Sequence, residues 1–267
     1  MTIIWIDKMA VDARGDGDPI VMVHGLGGSM NAWTPLLPAL SRWRSVRLDL
    51  PGAARSNKAY AASDDSPHRG SLSSEGHADA VLRVCEALGI TRAHFVGHSF
   101  GTLICQQVAV KAPQLVRSMA LFGALLEPPQ AMRDGLRTRA AQARERGMLE
   151  IAESVSDFAL SASTRQTQPV TVAYLRECMV AQPAEGYARN CLALSDAQAT
   201  RTEMIHCPVL IVNGDEDRVT PLSGARQLAD RLSNARVEVL SRCGHWPMLE
   251  RTLESQRALS GFLERVR

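Results

Sequence analysis

No stretch of this sequence reaches the roughly 18 to 20 uninterrupted apolar residues that a membrane-crossing helix needs, so no membrane partner is expected. Charge of one sign is equally scarce. Thirty Lys and Arg stand against 28 Asp and Glu, a formal +2, and no block of five or six basic residues occurs, so no nucleic-acid partner is expected. The densest basic tract, RDGLRTRAAQARER at 133–146, interleaves alanines and reads as the solvated face of a helix. The six cysteines (85, 105, 178, 191, 207, 243) contain no CxxC pair and sit mostly inside apolar runs. They read as buried free thiols of a cytoplasmic protein rather than disulfides. His206-Cys207 is an adjacent pair without the spacing of a zinc site, so no metal is expected. The opening MTIIWIDKMAVDARGDGDP lacks a basic n-region and a small-residue cleavage site, and is not expected to be a secretory leader. Internal repeats and low-complexity tracts are absent too.

What is present is ordinary globular composition, 45% apolar and 22% charged in 267 residues. That length fits one α/β domain with an insertion better than two equal domains. IIWI and a stretch near KMAVDA suggest a hairpin, and ARGDGDP turns the chain. IVMVH at 20–24 is a β-branched run of the kind buried on both faces of a sheet. A short helix is predicted in MNAWTPLLPALSRW, a strand in SVRLDL, and a loop from Asn57 to Ser71. A helix follows, with Ser71 or Ser73 as N-cap and Gly89 closing it. AHFVGH (strand), FGTLICQQVAVKAP (helix) and VRSMALFGAL (strand) continue the alternation, which predicts a mostly parallel, doubly wound sheet of about eight strands. From Glu127 to Thr200 only helical patterns appear, including VTVAY, which Pro169 precedes and helix formers follow. This predicts a helical cap at 127–200, inserted after the sixth strand into a core formed by 1–126 and 201–267. Alternation resumes with CPVLIVNGDEDRVTP, LSGARQLADRL, ARVEVL and a final helix.

One turn has a chemical reason to be tight. Gly97-His98-Ser99-Phe100-Gly101 fits the GxSxG elbow, with a predicted strand before it and a helix after it. In that geometry the serine backbone is strained, and a Cβ at 97 or 101 would strike the opposing chain. The turn pushes the Ser99 hydroxyl into open space, where it can attack a carbonyl if a base lies within hydrogen-bond reach. Of seven histidines, His245 in RCGHWP is best placed, after the last predicted strand. His24 reads as a structural hydrogen-bonding residue, and His98 as pointing away from the base role. His68, His77, His94 and His206 read as surface or strand-end residues. An imidazole base needs a carboxylate to fix its tautomer, and NGDEDRVTP offers three. Asp217 is the expected partner; Asp215 is the runner-up and suits the turn itself, while Glu216 projects elsewhere. The oxyanion donors are expected from the N–H groups of Phe100 and of Leu26 in HGLGG. The glycines of that loop match no dinucleotide or phosphate-cradling pattern.

Together HGLGG, DLPG, GHSFG, GDEDRVTP and GHWP resemble an α/β-hydrolase along essentially the whole chain. Within that superfamily the sequence is similar to the 3-oxoadipate enol-lactonase group and related small esterases. The cap segments RERGMLEIAESV and QPAEGYARNCLALSDA carry the local likeness. The resemblance implies a cofactor-free serine hydrolase that cleaves a small-molecule carboxylic ester or lactone through Ser99, Asp217 and His245. A C–C bond hydrolase of the same fold and a hydrolase-fold ligand receptor with little turnover are the alternatives. Trp33, Leu125, Phe158, Tyr174, Met179 and Trp246 are candidates to line an apolar substrate pocket. Arg165 and Arg176 in the cap are candidates to meet a substrate carboxylate, although surface placement is the expectation for both.

Overall fold

The structure is a computed structural model and describes residues 3–57 and 72–266. Eight strands form one sheet in the order β1-β2-β4-β3-β5-β6-β7-β8. β1 (Ile4–Ile6) and β2 (Met9–Arg14) make the expected hairpin, turning through Asp7 and Lys8 at φ of 49° and 64°. Two successive positive φ values match the right-handed twist of the flanking strands. β2 runs antiparallel to β4 (Arg44–Leu48), and every later pairing is parallel. β3 (Pro19–Val23), β5 (Ala93–His98), β6 (Val116–Phe122) and β7 (Val209–Gly214) fill the centre. Every residue of β5 and β7 is buried, as the continuous apolar runs predict for a sheet covered on both faces. β8 (Ala235–Leu240) is the half-buried edge.

The helix expected after HGLGG forms as a 3-10 helix, Met30–Leu40, because Pro35 and Pro38 remove two N–H donors from any i→i−4 ladder. α1 (Ser74–Ala87) is capped by Ser73, whose Oγ accepts from Gly76 N at 3.0 Å. The other cap candidate, Ser71, lies outside the described residues, as does the predicted loop beyond Asn57 and with it His68. α2 (Phe100–Lys111) follows β5 directly. Between β6 and β7 stand α3 (Gln130–Arg146), α4 (Leu149–Ala159), α5 (Ala162–Thr167), α6 (Pro169–Val180) and α7 (Ala184–Asp196). Val170, Thr171 and Val172 are helical because Pro169 occupies the first turn, where its missing N–H costs nothing. The chain closes with α8 (Leu222–Asp230), β8, α9 (Pro247–Glu250) and α10 (Thr252–Arg265). Among the described residues no helix is long and apolar enough to cross a membrane.

The basic tract on α3 departs from a uniform solvated face. Arg137, Arg144 and Arg146 are exposed and pair with Asp196, Glu185 and Glu150. Arg139 instead turns inward to a cavity.

Burial of histidines also exceeds the expectation. His77 is wholly buried, not on the surface: its Nε2 meets Asn190 Oδ1 at 2.7 Å and its ring stands edge-on to Phe100. His94 is buried within β5, with Nδ1 2.7 Å from Ser118 Oγ and its ring edge-on to Trp43. Burial lowers both pKa values to about 4, and that of His98 to about 3. Unfolding returns each ring to an ordinary value near 6.5. Between these limits the unfolded chain binds more protons than the native one. Stability is therefore complete above pH 6.5 and is lost as pH falls toward 4. The melting temperature is expected to drop by several degrees between pH 7 and pH 5, before most carboxylates titrate. A constant melting temperature across that interval would contradict neutral burial of these rings.

Candidate active site

The elbow puts Ser99 at the end of β5 and the start of α2. Its backbone lies at φ 52° and ψ −118°, a region that non-glycine residues adopt only when the surroundings enforce it. The enforcement is visible: Ser99 N donates to Phe122 O at 2.9 Å, and Ser99 O accepts from Thr102 N at 2.8 Å and Thr102 Oγ1 at 2.6 Å. Gly97 and Gly101 are glycine because the turn brings backbone against backbone. A Cβ on Gly97 would stand 2.6 Å from Gly101 O, and one on Gly101 would collide with the carbonyls of Val23 and His24. The backbone is thus fully engaged while the side chain faces a cavity of about 570 Å³. His245 and Leu26 line the same cavity.

His245 sits on the loop after β8, held from both sides. Its N–H donates to Ala159 O at 2.7 Å, and His98 Nε2 donates to its carbonyl at 2.8 Å. The buried Glu250 carboxylate accepts from Gly244 N (3.0 Å), Trp246 N (3.1 Å) and, across from the cap, Ser161 N (2.8 Å). The ring's Nδ1 lies 2.9 Å from Asp217 Oδ2, an arrangement that places the proton on Nδ1 and leaves Nε2 as the free base. No hydrogen bond joins Ser99 Oγ to the ring in this arrangement. Such contacts commonly close only when substrate is bound.

Asp217 takes four donors: His245 Nδ1, Val219 N at 2.9 Å, Thr220 N at 2.8 Å and Thr220 Oγ1 at 2.8 Å. Burial alone would raise its pKa. The positive charge available on His245 and these hydrogen bonds outweigh burial, and hold the carboxyl below its ordinary value. Asp215 accepts from Cys243 N at 3.1 Å and so shapes the turn, while Glu216 reaches away to Ala162 N at 2.9 Å.

Phe100 N–H opens α2, where the first N–H groups have no acceptor within the helix. The loop that carries Leu26 is pinned from several directions. His24 Nε2 accepts from Leu50 N at 2.9 Å, so its Nδ1–H is the donor to Gly25 O at 2.8 Å. Gln182, two residues beyond α6, donates to Gly27 O and Gly28 O, each at 3.2 Å, and accepts from Ala54 N at 3.1 Å.

Of the expected lining residues, Leu125, Phe158, Met179 and Trp246 reach the Ser99 cavity. Two do not. Trp33 is wholly buried and packs edge-on to Phe122 at 6.0 Å, because the 3-10 helix turns it into the core. Tyr174 faces a separate cavity of about 430 Å³, beside Ser29, Arg55 and Cys178. Arg165 and Arg176 lie on the surface, paired with Asp157 at 3.1 Å and Glu153 at 2.9 Å. Sequence reasoning passed over Thr220, Glu250, Gln182 and Arg139. Thr220 was within reach of it, since an Asp followed two and three residues later by free N–H groups is the pattern of a self-bonded turn. The other three act across long sequence separations and leave no local signal.

The sequence matches the alpha/beta hydrolase fold family over residues 18–153 and 153–252. It is 30% identical over 255 residues to the dihydrolipoyllysine-residue acetyltransferase component of the acetoin cleaving system of Pseudomonas putida. That match covers 93% of this chain but 64% of the other, so this chain spans less than two thirds of that relative. It is 26% identical to 2-hydroxymuconate semialdehyde hydrolase of Pseudomonas sp. (strain CF600), covering 93% of this chain and 88% of the relative. Among solved structures it is similar to the enol-lactonase from Burkholderia xenovorans LB400. The TM-score is 0.86 and the identity 26%, over 98% of this chain and 100% of that one.

Proposed function

The chain belongs to the α/β-hydrolase family, and from that premise we propose that it is a serine hydrolase of carboxylic esters or lactones that works through an acyl-enzyme. The observation that carries this reading is the joint placement of a strained, cavity-facing Ser99 and an imidazole whose other nitrogen is fixed by Asp217. His245 Nε2 takes the Ser99 proton as Oγ bonds to the carbonyl carbon, and Asp217 stabilises the imidazolium. The N–H groups of Leu26 and Phe100 hold the oxyanion. Collapse breaks the C–O bond to the alcohol, which leaves with the proton from His245. Water, deprotonated by the same ring, then releases the acid. With a lactone the alcohol stays tethered to the acyl group, so water must arrive before the ring recloses. We place the core at 1–126 and 201–267 and the cap at 127–200, with the cap closing over this chemistry.

A panel of p-nitrophenyl esters and simple lactones tests the reading. Turnover above about 1 s⁻¹ on a good member is expected, whereas turnover of none of them contradicts it. The similarity to 2-hydroxymuconate semialdehyde hydrolase favours one second reading, cleavage of a carbon–carbon bond by the same residues. A vinylogous 1,5-diketone cleaved faster than any ester would select it.

A further inference from the structure

Leu26 lines the Ser99 cavity, and among the described residues nothing accepts from its N–H. It lies within a four-residue turn that Gly28 N closes onto Gly25 O at 3.0 Å, with Gly27 at φ 73°. A peptide unit is planar and trans, so its N–H points opposite to its C=O. The Leu26 N–H therefore takes its direction from Gly25 O, which Gly28 N and His24 Nδ1 (2.8 Å) hold in place. The Gly28 N–H takes its direction in the same way from Gly27 O, and Gly27 O accepts from Gln182 Nε2 at 3.2 Å.

Gln182 stands between α6 and α7 and is 6% exposed. Its Oε1 accepts from Ala54 N at 3.1 Å, and its Nε2 also faces Gly28 O at 3.2 Å and Cys178 O at 3.0 Å. Only one orientation of the amide works, because the reverse would aim an oxygen at three carbonyls and an NH2 at an N–H. The base of this strut is anchored as well, since Asn190 Nδ2 on α7 donates to Pro51 O at 3.1 Å. Three amides thus stand head to tail: the Gln182 side chain, the Gly27–Gly28 peptide and the Gly25–Leu26 peptide. Each bond in such a chain polarises the next, and the last N–H is that of Leu26. We propose that Gln182 is a positioning residue for the oxyanion: its amide sets the direction and polarity of the Leu26 N–H, so the segment joining α6 to α7 contributes to kcat. This rests on the ester or lactone reading above, with Leu26 as an oxyanion donor.

The test uses Gln182→Met, which removes the amide, and Gln182→Glu, which keeps its shape but turns an anionic oxygen on three carbonyls. Hydrolysis of p-nitrophenyl butyrate is measured, with its inhibition by trifluoromethyl hexyl ketone and by the corresponding carbinol. The ketone forms an oxyanion on the serine, whereas the carbinol has a similar shape and forms none. Gln182→Met is expected to lower kcat by about tenfold, less than the loss of an oxyanion donor itself, with KM within about twofold. The preference for ketone over carbinol should fall by a similar factor, and that ratio is independent of how much of the variant is folded. Gln182→Glu should lose more than Gln182→Met at pH 8. Its deficit relative to wild type should shrink as pH falls, because burial against carbonyl oxygens raises the carboxyl pKa and the acid form can donate. A loss confined to KM, or an equal loss of affinity for ketone and carbinol, would overturn the relay. So would variants that match an active wild type. A wild type that turns over no ester and binds the ketone no better than the carbinol sinks the ester reading, and the relay with it.

Discussion

Replacing Ser99 by alanine is expected to lower kcat/KM for ester hydrolysis by at least about 10⁴-fold, while the protein stays folded. The size follows from what the hydroxyl does. It supplies the bond to the acyl carbon from the strained turn at the end of β5. The oxyanion donors and the binding surface survive the change, so a small residual rate above water is expected rather than none. Folding should survive as well, because the serine's native hydrogen bonds are made by its backbone N and O. Alanine tolerates the positive φ no worse than serine does. Loss of activity with an unchanged melting temperature is the expected pair of results. Activity retained in the variant would remove Ser99 from the mechanism.

Asp217→Asn carries the second largest effect, about 10⁴-fold in kcat by the loss of a correctly oriented tautomer. The carboxylate now accepts from four donors at once. With its NH2 in the place of Oδ1 the amide faces the N–H groups of Val219 and Thr220. With its NH2 in the place of Oδ2 it faces His245 Nδ1, which then accepts and carries its proton on Nε2, where the base is needed. Asp215→Asn is the control on the neighbouring acid. Its Oδ1 accepts from Cys243 N, a role an amide oxygen can keep, so a loss below about tenfold is expected. Measured kcat values for the two variants on one ester check the ranking. A larger loss at 215 than at 217 would transfer the acid role.

The parts legible in the sequence are those whose physics is local. β5 and β7 read as buried strands because their apolar runs are continuous, and the elbow reads as a tight turn because only glycine fits at 97 and 101. Asp217 and His245 were reachable because each emerges at the same end of a strand, on a loop whose length the sequence shows. Trp33 was misplaced because two prolines wind its segment as a 3-10 helix, which turns its side chains differently from an α-helix. Tyr174 and Met179 share α6 yet face different cavities, a distinction set by how the cap rests on the core. Arg139 hid in a tract of arginines, most of which are solvated, and only the packing of α3 on α7 turns it inward. Glu250 joins the His245 loop to the cap across 89 residues, which no local pattern reveals.

The most direct measurement is the intact mass of the protein after treatment with an alkyl fluorophosphonate, followed by peptide mapping. An activated serine displaces fluoride and forms a stable phosphonyl ester that mimics the tetrahedral intermediate. One adduct per chain, located on Ser99 and appearing in step with loss of esterase activity, is the expected result. The adduct should fail to form in His245→Ala. An adduct on a different residue that accompanies the loss of activity, or full activity in a protein stoichiometrically modified at Ser99, would contradict the account.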